Sequence, residues 1–289
     1  MARQKVVLVT GASSGIGLAA AVEFAKRGYK VYACARRLAP MAPLEAHGIH
    51  TLVCDVTQTD AVARMCSHIS SDNDGRLDIL YNNAGQACTM AAMDATDAAV
   101  AQCFAVNVFA PMAVTREFAA LLIKARGTVG FTGSVSGVLP APFLAVYSAS
   151  KAALHQYVAT LRVEMEPFGV TVLNFVTGSV QTPIGDLRGL PEHSRFRVPG
   201  IDAAMAELLG MTALKRPVSA ELYARRVVGD FEAQRLGGRL HIYRGGAAYF
   251  AGHLLAWCPR VLAEKLLVSQ LKFSEAFEYI RARHLGAAA

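Results

Sequence analysis

Residues 5–17 read KVVLVTGASSGIG, and this stretch decides the fold. The branched apolar run Lys5–Val9 predicts a buried strand, and the helix-spaced apolar residues of Ser14–Arg27 predict a helix. Glycines between the two let the backbone turn sharply and approach a pyrophosphate closely, at the positive end of the helix dipole. The stretch therefore predicts a nucleotide-binding loop. Its predicted contact residues are Gly11, Ser13, Ser14, Gly15, Ile16 and Gly17.

Short apolar runs and helical stretches continue to alternate as far as residue 176, with helical periodicity in Asp60–Ile69 and Tyr147–Pro167. Strands that alternate with helices indicate a parallel sheet covered on both faces, so we expect an α/β, doubly wound sheet of the Rossmann type. Since no internal repeat or low-complexity linker interrupts the pattern, we expect a single domain. The further strand signals are Lys30–Cys34, His50–Cys54, Asp78–Tyr81, Thr128–Thr132 and Val170–Val176.

Length and composition exclude several classes of protein. The 289 residues suffice for one large α/β domain, and 53% hydrophobic against 18% charged residues exclude a disordered chain. The formal net charge is +7, but the chain has no Lys/Arg-rich run of the kind that binds nucleic acid. An anionic small molecule or an anionic membrane surface is the favoured partner. The six cysteines form no C-x-x-C pair, which indicates reduced thiols, an intracellular location and no metal site.

Two segments depart from the alternation. Residues 183–217 are rich in Pro, Gly and Arg and predict a substrate lid within a catalytic domain of residues 1–243. Residues 244–289 predict a C-terminal helical extension, whose apolar run Gly245–Pro259 is shorter than the ~20 residues that span a bilayer. Packing of this run against the protein is favoured over insertion into a membrane interface, which stays the alternative. The apolar side chains concerned are Phe250, Leu254, Leu255 and Trp257.

The glycine-rich turn also matches a hydrolase pattern, G-x-S-x-G, at residues 11–15. In that pattern a serine on a strained strand-to-helix turn is the nucleophile, and here the serine would be Ser13. The turn follows the first strand, and no acidic residue followed by histidine stands out downstream as its partners. A lipid hydrolase is therefore kept as the alternative from a different enzyme class.

The end of the second predicted strand indicates which dinucleotide binds. Enzymes that use NAD place an Asp or Glu there to hold the ribose 2′-hydroxyl, whereas this chain has Ala35-Arg36-Arg37. Alanine removes the carboxylate that would repel a 2′-phosphate, and guanidinium groups bind such a phosphate in a fork geometry. Arg36 and Arg37 therefore predict NADP(H) as the cofactor.

A group of three residues further along the chain, Ser134, Tyr147 and Lys151, predicts acid–base chemistry on a carbonyl or an alcohol. Tyr147 and Lys151 stand four residues apart on a predicted helix, so the phenol and the ammonium share one face. A nearby cation lowers the pKa of a phenol towards neutrality. Ser134 lies at the end of a predicted strand, where its hydroxyl can donate a hydrogen bond to a carbonyl oxygen.

Together, these motifs resemble the short-chain dehydrogenase/reductase family over residues 5–243. The resemblance implies that Tyr147 is the general acid/base and that Ser134 orients the carbonyl. It implies that Lys151 lowers the tyrosine pKa and binds the nicotinamide ribose, and that Asn107 holds a proton-relay water. Further positions implied to contact the cofactor are Asp55, Val56, Asn83, Gly85, Val180 and Thr182.

Some positions fall outside the family pattern. Thr177 stands where the family usually has the proline of a Pro-Gly pair, although Val180 and Thr182 remain placed to meet the nicotinamide carboxamide. His155 and His241 lie on periodic segments, which favours core or surface histidines over metal ligands.

A narrower resemblance is to the fungal NADPH-dependent 1-acyldihydroxyacetone-phosphate reductases. It is carried by VYACARR at 31–37, LYNNAGQAC at 80–88 and YSASKAALHQY at 147–157. It implies reduction of a phosphorylated lipid ketone to lysophosphatidic acid on the endoplasmic reticulum or lipid droplets. Fungal reductases of secondary metabolites share the same core, so a polyketide or terpenoid ketone is the alternative substrate. Arg188 is the predicted ligand of a substrate phosphate, and a homo-oligomer stays open.

Overall fold

The computed structural model describes residues 3–184, 189–210 and 217–286. A seven-stranded sheet has the order β3-β2-β1-β4-β5-β6-β7, and every neighbouring pair of strands is parallel. The strands are β1 (Val6–Thr10), β2 (Lys30–Ala35), β3 (His50–Val53), β4 (Ile79–Asn82), β5 (Thr128–Thr132), β6 (Thr171–Thr177) and β7 (His241–Arg244). The prediction of a Rossmann-type sheet is confirmed. The sequence does not predict β7, because its residues HIYR mix polar and apolar side chains and only Ile242 is buried.

Helices cover both faces of the sheet, as parallel sheets require. On one face α1 and α7 pack in one buried cluster, and on the other face α2, α4 and α5 pack in a second. The helices are α1 (Gly15–Lys26), α2 (Thr59–Asp72), α3 (Asp97–Phe104), α4 (Ala110–Ala125), α5 (Ala145–Met165), α6 (Ile201–Gly210), α7 (Ala220–Ala233), α8 (Ala248–Trp257), α9 (Arg260–Gln270) and α10 (Ser274–Leu285).

The central strand β1 shows why these strands are apolar throughout. Val6 and Leu8 belong to the cluster on one face, and Val7 and Val9 belong to the cluster on the other. Successive side chains of a strand point to opposite faces, so a strand covered on both sides has no position left for a polar residue. Both sides of β1 are therefore core.

The strand order places the functional crevice. The chain leaves β1 towards β2 on one side, and β4 joins the sheet on the other side of β1. The loops after β1 and β4 consequently diverge at the carboxyl ends of these strands, which is where ligands bind in open α/β sheets.

A third buried cluster joins the predicted lid to the C-terminal extension. Phe143 stacks on Phe273 with ring centres 5.0 Å apart, and it meets Phe196 edge-on at 5.0 Å. Phe277 of α10 lies 5.5 Å from Phe273. Lys272 and Glu207 add an ion pair of 3.0 Å between the extension and α6. The C-terminal extension therefore shares a core with the described residues of the predicted lid segment.

The first part of the extension differs from the expectation of tertiary packing. Trp257 is 90% exposed and Phe250 is 63% exposed, so neither ring packs into the described core. The expectation was wrong for these two residues, whose side chains face solvent in the described structure. The side chains of Leu254 and Leu255 lie outside the described set, and so does Arg188 of the lid.

One helical stretch in the described part of the chain, residues 97–125, is long and apolar enough to cross a membrane by length and composition alone. It consists of α3, the π-helical turn Ala105–Phe109 and α4. Its α4 part belongs to the cluster beneath the sheet, where Phe118 and Leu122 are fully buried. This stretch is a core helix of the α/β domain.

Candidate active site

The turn after β1 is pressed against the loop that follows β4. Gly11 has a φ of 68°, and a Cβ atom there would lie 2.7 Å from the Ala84 Cα. A Cβ on Gly17 would lie 2.4 Å from the Gly11 carbonyl oxygen. The Thr10 hydroxyl accepts hydrogen bonds from the backbone amides of Asn83 and Ala84, each at 3.0 Å. Because nothing larger than hydrogen fits at either glycine, the close approach of the backbones requires them.

Asn83 acts as a brace for this turn. Its side-chain amide donates to the Thr10 carbonyl oxygen at 3.0 Å, and its Oδ1 accepts from the Thr132 hydroxyl at 3.1 Å. The residue thereby connects the carboxyl ends of β1, β4 and β5. It supports the shape of the predicted cofactor loop from inside the protein.

The N-terminus of α1 fits an anionic group. Ser14 is exposed at the N-cap position, and its side chain makes no capping hydrogen bond. The first backbone N–H groups of a helix have no intrahelical partner, so they are available to a pyrophosphate. Gly15, at φ 55°, brings this end of the helix against Thr182, where a Cβ would lie 3.0 Å from the threonine methyl carbon. Ser13 and Ile16 are half-buried beside it.

Ser13 lacks the partners of a hydrolase nucleophile. In residues 3–184, 189–210 and 217–286, no histidine or carboxylate forms a hydrogen bond with its hydroxyl. A serine nucleophile needs a general base within hydrogen-bond reach. The geometry therefore gives no support to the hydrolase alternative.

The carboxyl end of β2 carries two exposed guanidinium groups. Arg36 and Arg37 have no hydrogen bond or ion pair with any other part of the chain that the structure describes. The glycine turn is attached to the same strand end, because the Ala12 amide donates to the Cys34 carbonyl at 3.1 Å. Ala35 is buried and brings no charge. Two cations that pair with no described residue, beside the turn predicted to bind a pyrophosphate, fit the 2′-phosphate of NADP(H).

The end of β3 lies next along the sheet. The Asp55 carboxylate accepts hydrogen bonds from the Thr57 amide at 3.0 Å and from its hydroxyl at 2.8 Å. Val56 is 9% exposed and packs into the core. Both residues occupy the carboxyl edge where the adenine contacts are expected, and that role stays a prediction.

Ser134, Tyr147 and Lys151 lie close together. Ser134 follows β5, and its hydroxyl accepts a hydrogen bond from the Ser136 amide at 3.1 Å. Lys151 donates from Nζ to the Thr132 carbonyl oxygen at 2.8 Å and lies 5.8 Å from the centre of the Tyr147 ring. A rigid helix therefore carries the phenol and the ammonium, and the end of β5 carries the serine.

Burial dominates the ionisation of these groups. It raises the pKa of Tyr147 above its usual value and outweighs the hydrogen bond with Ser134, which lowers it. Burial also lowers the pKa of Lys151 to about 8. The expectation that Lys151 lowers the tyrosine pKa is not met in this structure, because a low-dielectric surrounding penalises both charged forms. A phenol with a raised pKa stays protonated at neutral pH, which is the form that a proton donor needs.

Asn107 lies in the π-helical turn Ala105–Phe109 and is buried. Its Oδ1 accepts from the Gln86 amide at 2.9 Å, and its Nδ2 donates to the Gln86 carbonyl at 3.0 Å and to the Ser150 hydroxyl at 3.1 Å. A Cβ on Gly85 would lie 3.4 Å from the Asn107 Oδ1. These contacts hold the Asn107 side chain in place, and its role in binding a relay water stays a prediction. Such π-helical turns are frequent at functional sites.

The segment after β6 closes the crevice from the other side. The hydroxyl groups of Thr177 and Tyr223 lie 2.6 Å apart, so the threonine at the family's proline position anchors the end of β6 to α7. Val180 forms a bridge with Val218 and is half-buried. The structure thus brings Val180 and Thr182 to the same edge as the glycine turn.

Sequence reasoning missed three polar residues that hold the site together. Thr132 supplies the carbonyl that binds Lys151, and Ser150 binds Asn107. His155, expected as a core or surface histidine, is buried, and its Nε2 accepts from the Ser134 amide at 3.2 Å. Helical spacing was a usable signal for His155, which stands eight residues after Tyr147 on the same helix.

Comparisons with known proteins agree with this geometry. The family model for short chain dehydrogenases matches residues 5–189. The NADPH-dependent 1-acyldihydroxyacetone phosphate reductase of Saccharomyces cerevisiae is 42% identical over 97% of this chain and 95% of its own. Short-chain dehydrogenase PC-15 of Penicillium crustosum is 38% identical over 93% of this chain and 98% of its own.

A solved structure extends the agreement to the fold. A short-chain dehydrogenase from Streptomyces avermitilis superposes with a TM-score of 0.75 at 28% identity, covering 94% of this chain and 98% of that one. The glycine turn, the Ser134–Tyr147–Lys151 group and strands β1 to β6 all fall within the matched residues. This chain, an oxidoreductase, therefore belongs to the short-chain dehydrogenase family.

Proposed function

We propose that this enzyme reduces 1-acyldihydroxyacetone phosphate to lysophosphatidic acid with NADPH. NADP(H) is the cofactor, in agreement with the exposed Arg36 and Arg37 at the end of β2. The observation that supports this choice of substrate is the extent of the likeness to the yeast 1-acyldihydroxyacetone phosphate reductase. The likeness spans 97% of this chain and thus includes the extension. A likeness confined to the cofactor-binding core would have supported the reaction class alone.

The residues of the chain suit the reduction of a ketone. Bound NADPH supplies a hydride to the carbonyl carbon. The Ser134 hydroxyl accepts from the Ser136 amide through a lone pair and is hydrogen-bonded to Tyr147, so its own hydrogen lies on the side of the phenol, where it would donate to the carbonyl oxygen. Tyr147, protonated at neutral pH, gives its proton to the developing alkoxide. Lys151 lies beside both the phenol ring and the end of β5, where the resemblance places the nicotinamide ribose.

An apolar cluster that lies close to Tyr147 in the chain supports a substrate with an acyl chain. The loop from Ser134 to Tyr147 carries Phe143, which is buried among Phe196 and Phe273. The described residues of the lid segment and the extension therefore meet in a hydrophobic cluster that includes Phe143, four residues before Tyr147 in the chain. Arg188, proposed here to bind the substrate phosphate, belongs to the lid.

The extension supports a peripheral position on the endoplasmic reticulum or a lipid droplet. Trp257 is 90% exposed and Val261 is 64% exposed, and the neighbouring Arg260 side chain is 83% exposed. Aromatic and aliphatic side chains flanked by cations suit the boundary between headgroups and acyl chains. A bilayer interface would cover apolar surface that the described protein leaves open to water.

Turnover with purified enzyme tests the substrate. NADPH oxidation should be fast with acyl-dihydroxyacetone phosphate, slower with its unphosphorylated analogue and slowest with a panel of polyketide ketones. Faster turnover of a polyketide ketone would replace the proposal with the secondary-metabolite alternative. Arg188→Ala should raise KM for the phosphorylated ketone alone, and an equal rise for both lipid ketones would remove the phosphate assignment.

Flotation with liposomes tests the membrane position. The chain should float with anionic vesicles and bind less well in high salt, since part of the attraction is electrostatic. Trp257→Ser should weaken flotation without changing the thermal midpoint, because the side chain is exposed. Unchanged flotation of this variant would contradict a role for the extension.

A further inference from the structure

The loop that carries Ser134 is wrapped around the imidazole ring of His155. A Cβ atom on Gly133 would lie 2.6 Å from the His155 Nε2, and one on Gly137 would lie 2.8 Å from the ring Cε1. Real Cβ atoms are not found at such distances, so both positions must be glycine for the ring to come this close. Gly133 precedes Ser134 and Gly137 follows it by three residues, so the ring packs against the loop on both sides of the serine.

Within this contact, one hydrogen bond fixes the serine backbone. The Ser134 amide donates to the His155 Nε2 at 3.2 Å, and the ring is 8% exposed. Ser134 has an extended backbone, with φ −153° and ψ 148°, and its amide bonds to no backbone carbonyl among the described residues. The imidazole therefore satisfies a buried N–H group that would otherwise carry a desolvation penalty.

The position of His155 on α5 gives this bond a functional meaning. Tyr147, Lys151 and His155 follow one another at intervals of four residues, so their side chains lie along one face of the same helix. The helix carries the phenol and the ammonium directly, and through His155 it also holds the serine. One rigid helix thus holds the phenol, the ammonium and the serine hydroxyl relative to one another.

The charge state of the ring suits an acceptor. Burial, reinforced by the nearby charges of His241 and Lys151, lowers the pKa of His155 to about 3. The ring is accordingly neutral at working pH, and the bond from Ser134 assigns its single proton to Nδ1. A neutral Nε2 offers the lone pair that the Ser134 amide needs.

We propose that His155 is a positioning residue for carbonyl reduction: it sets the Ser134 hydroxyl relative to the Tyr147 phenol by holding the serine backbone. The inference rests on the proposed ketone reduction, but not on which ketone is reduced. Misplacing a reacting group by about 1 Å costs roughly 10²-fold in rate. Loss of the acceptor should therefore lower kcat more than it changes cofactor binding.

The test compares His155→Leu, which removes the acceptor, with His155→Gln, whose side-chain carbonyl restores one. His241→Leu is the matched control, because its ring centre lies 6.0 Å from that of His155 without binding Ser134. Phenanthrenequinone is the carbonyl probe, so failure of the acyl-ketone assignment does not affect the result. The readouts are kcat, KM, the NADPH dissociation constant and the hydrogen exchange rate of the Ser134 amide.

We expect His155→Leu to lower kcat by about 10- to 100-fold and to speed exchange of the Ser134 amide, with the NADPH dissociation constant within about twofold of the wild type. His155→Gln should recover most of both effects. Wild-type kcat or unchanged amide exchange in His155→Leu would overturn the proposal. So would a Gln variant as impaired as the Leu variant, or a kcat loss that His241→Leu reproduces. The exchange readout needs no substrate, which keeps it decisive if the probe is turned over slowly.

Discussion

Replacement of Phe273 by alanine tests whether the C-terminal extension is part of the fold. The Phe273 side chain is fully buried, stacks on Phe143 with ring centres 5.0 Å apart, and lies 5.5 Å from Phe277. Substitutions of buried phenylalanine by alanine cost ~3–5 kcal/mol, since they remove apolar burial and leave a cavity. For a chain of this size each kcal/mol lowers Tm by about 2–4 °C. Phe273→Ala should therefore lower Tm by roughly 6–20 °C.

Circular dichroism at a fixed protein concentration measures this effect. Tyr279→Ala, on the helix that directly follows Phe273 but 48% exposed, is the control and should change the free energy of unfolding by about 0.5 kcal/mol or less. Because Phe143 belongs to the loop between Ser134 and Tyr147, Phe273→Ala should also raise KM for a long-chain ketone. The NADPH dissociation constant should not change, since the glycine turn packs in a different cluster.

Two outcomes would refute this reasoning. If Phe273→Ala and Tyr279→Ala had the same Tm, the extension would contribute no core to the enzyme. If the Tm fell but the KM values for long-chain and short-chain ketones rose equally, the cluster would stabilise the fold without forming a substrate wall.

Three further predictions concern the chemistry. Tyr147→Phe should lower turnover by about 10²–10⁴-fold with NADPH binding preserved, as measured by steady-state kinetics and fluorescence titration; wild-type turnover would contradict proton donation by the phenol. Arg36→Ala should lower kcat/KM for NADPH by a factor that corresponds to about 1.5–3 kcal/mol, because the 2′-phosphate loses a charge-assisted hydrogen bond. The kcat/KM for NADH, which has no 2′-phosphate, should not change, and equal losses for both cofactors would contradict the assignment. NADPH binding should weaken as the pH rises through about 8, since Lys151 is charged below its lowered pKa and neutral above it. Lys151→Arg, which keeps its charge, should remove that dependence, and a flat titration of the wild type on either side of pH 8 would count against it.

The glycine turn and the alternation of strands and helices could be predicted from the sequence, because each depends on residues that are close together in the chain. Gly11, Gly15 and Gly17 are required because the backbone turns tightly and approaches its neighbours closely there. Apolar runs such as Val6–Val9 are required because both faces of the strand are buried. The predicted strands up to β6 all appear within a residue or two of their expected limits. Strand β7 was not predicted, since its place is decided by pairing with β6 rather than by the pattern of its own four residues.

The catalytic group was predicted from residue types, but its energetics were not. The sequence shows that a phenol and an ammonium share a helix face, and from that spacing we expected the ammonium to lower the phenol pKa. The burial that raises the pKa of Tyr147 and lowers that of Lys151 depends on the walls around them, which come from distant parts of the chain.

The sequence by itself determined the fold class, the cofactor turn, the cationic end of β2 and the helix that carries Tyr147 and Lys151, because each depends on residues close together in the chain. Only the tertiary structure decided that Asn107 is engaged by Gln86 and Ser150, and that Phe273 closes over Phe143 while Trp257 remains exposed. The contact between Phe143 and Phe273 joins residues 130 positions apart in the chain, and no local period encodes such a meeting. Burial and hydrogen-bond partners arise from the packing of the whole chain, and this is why they could be observed but not read from the sequence.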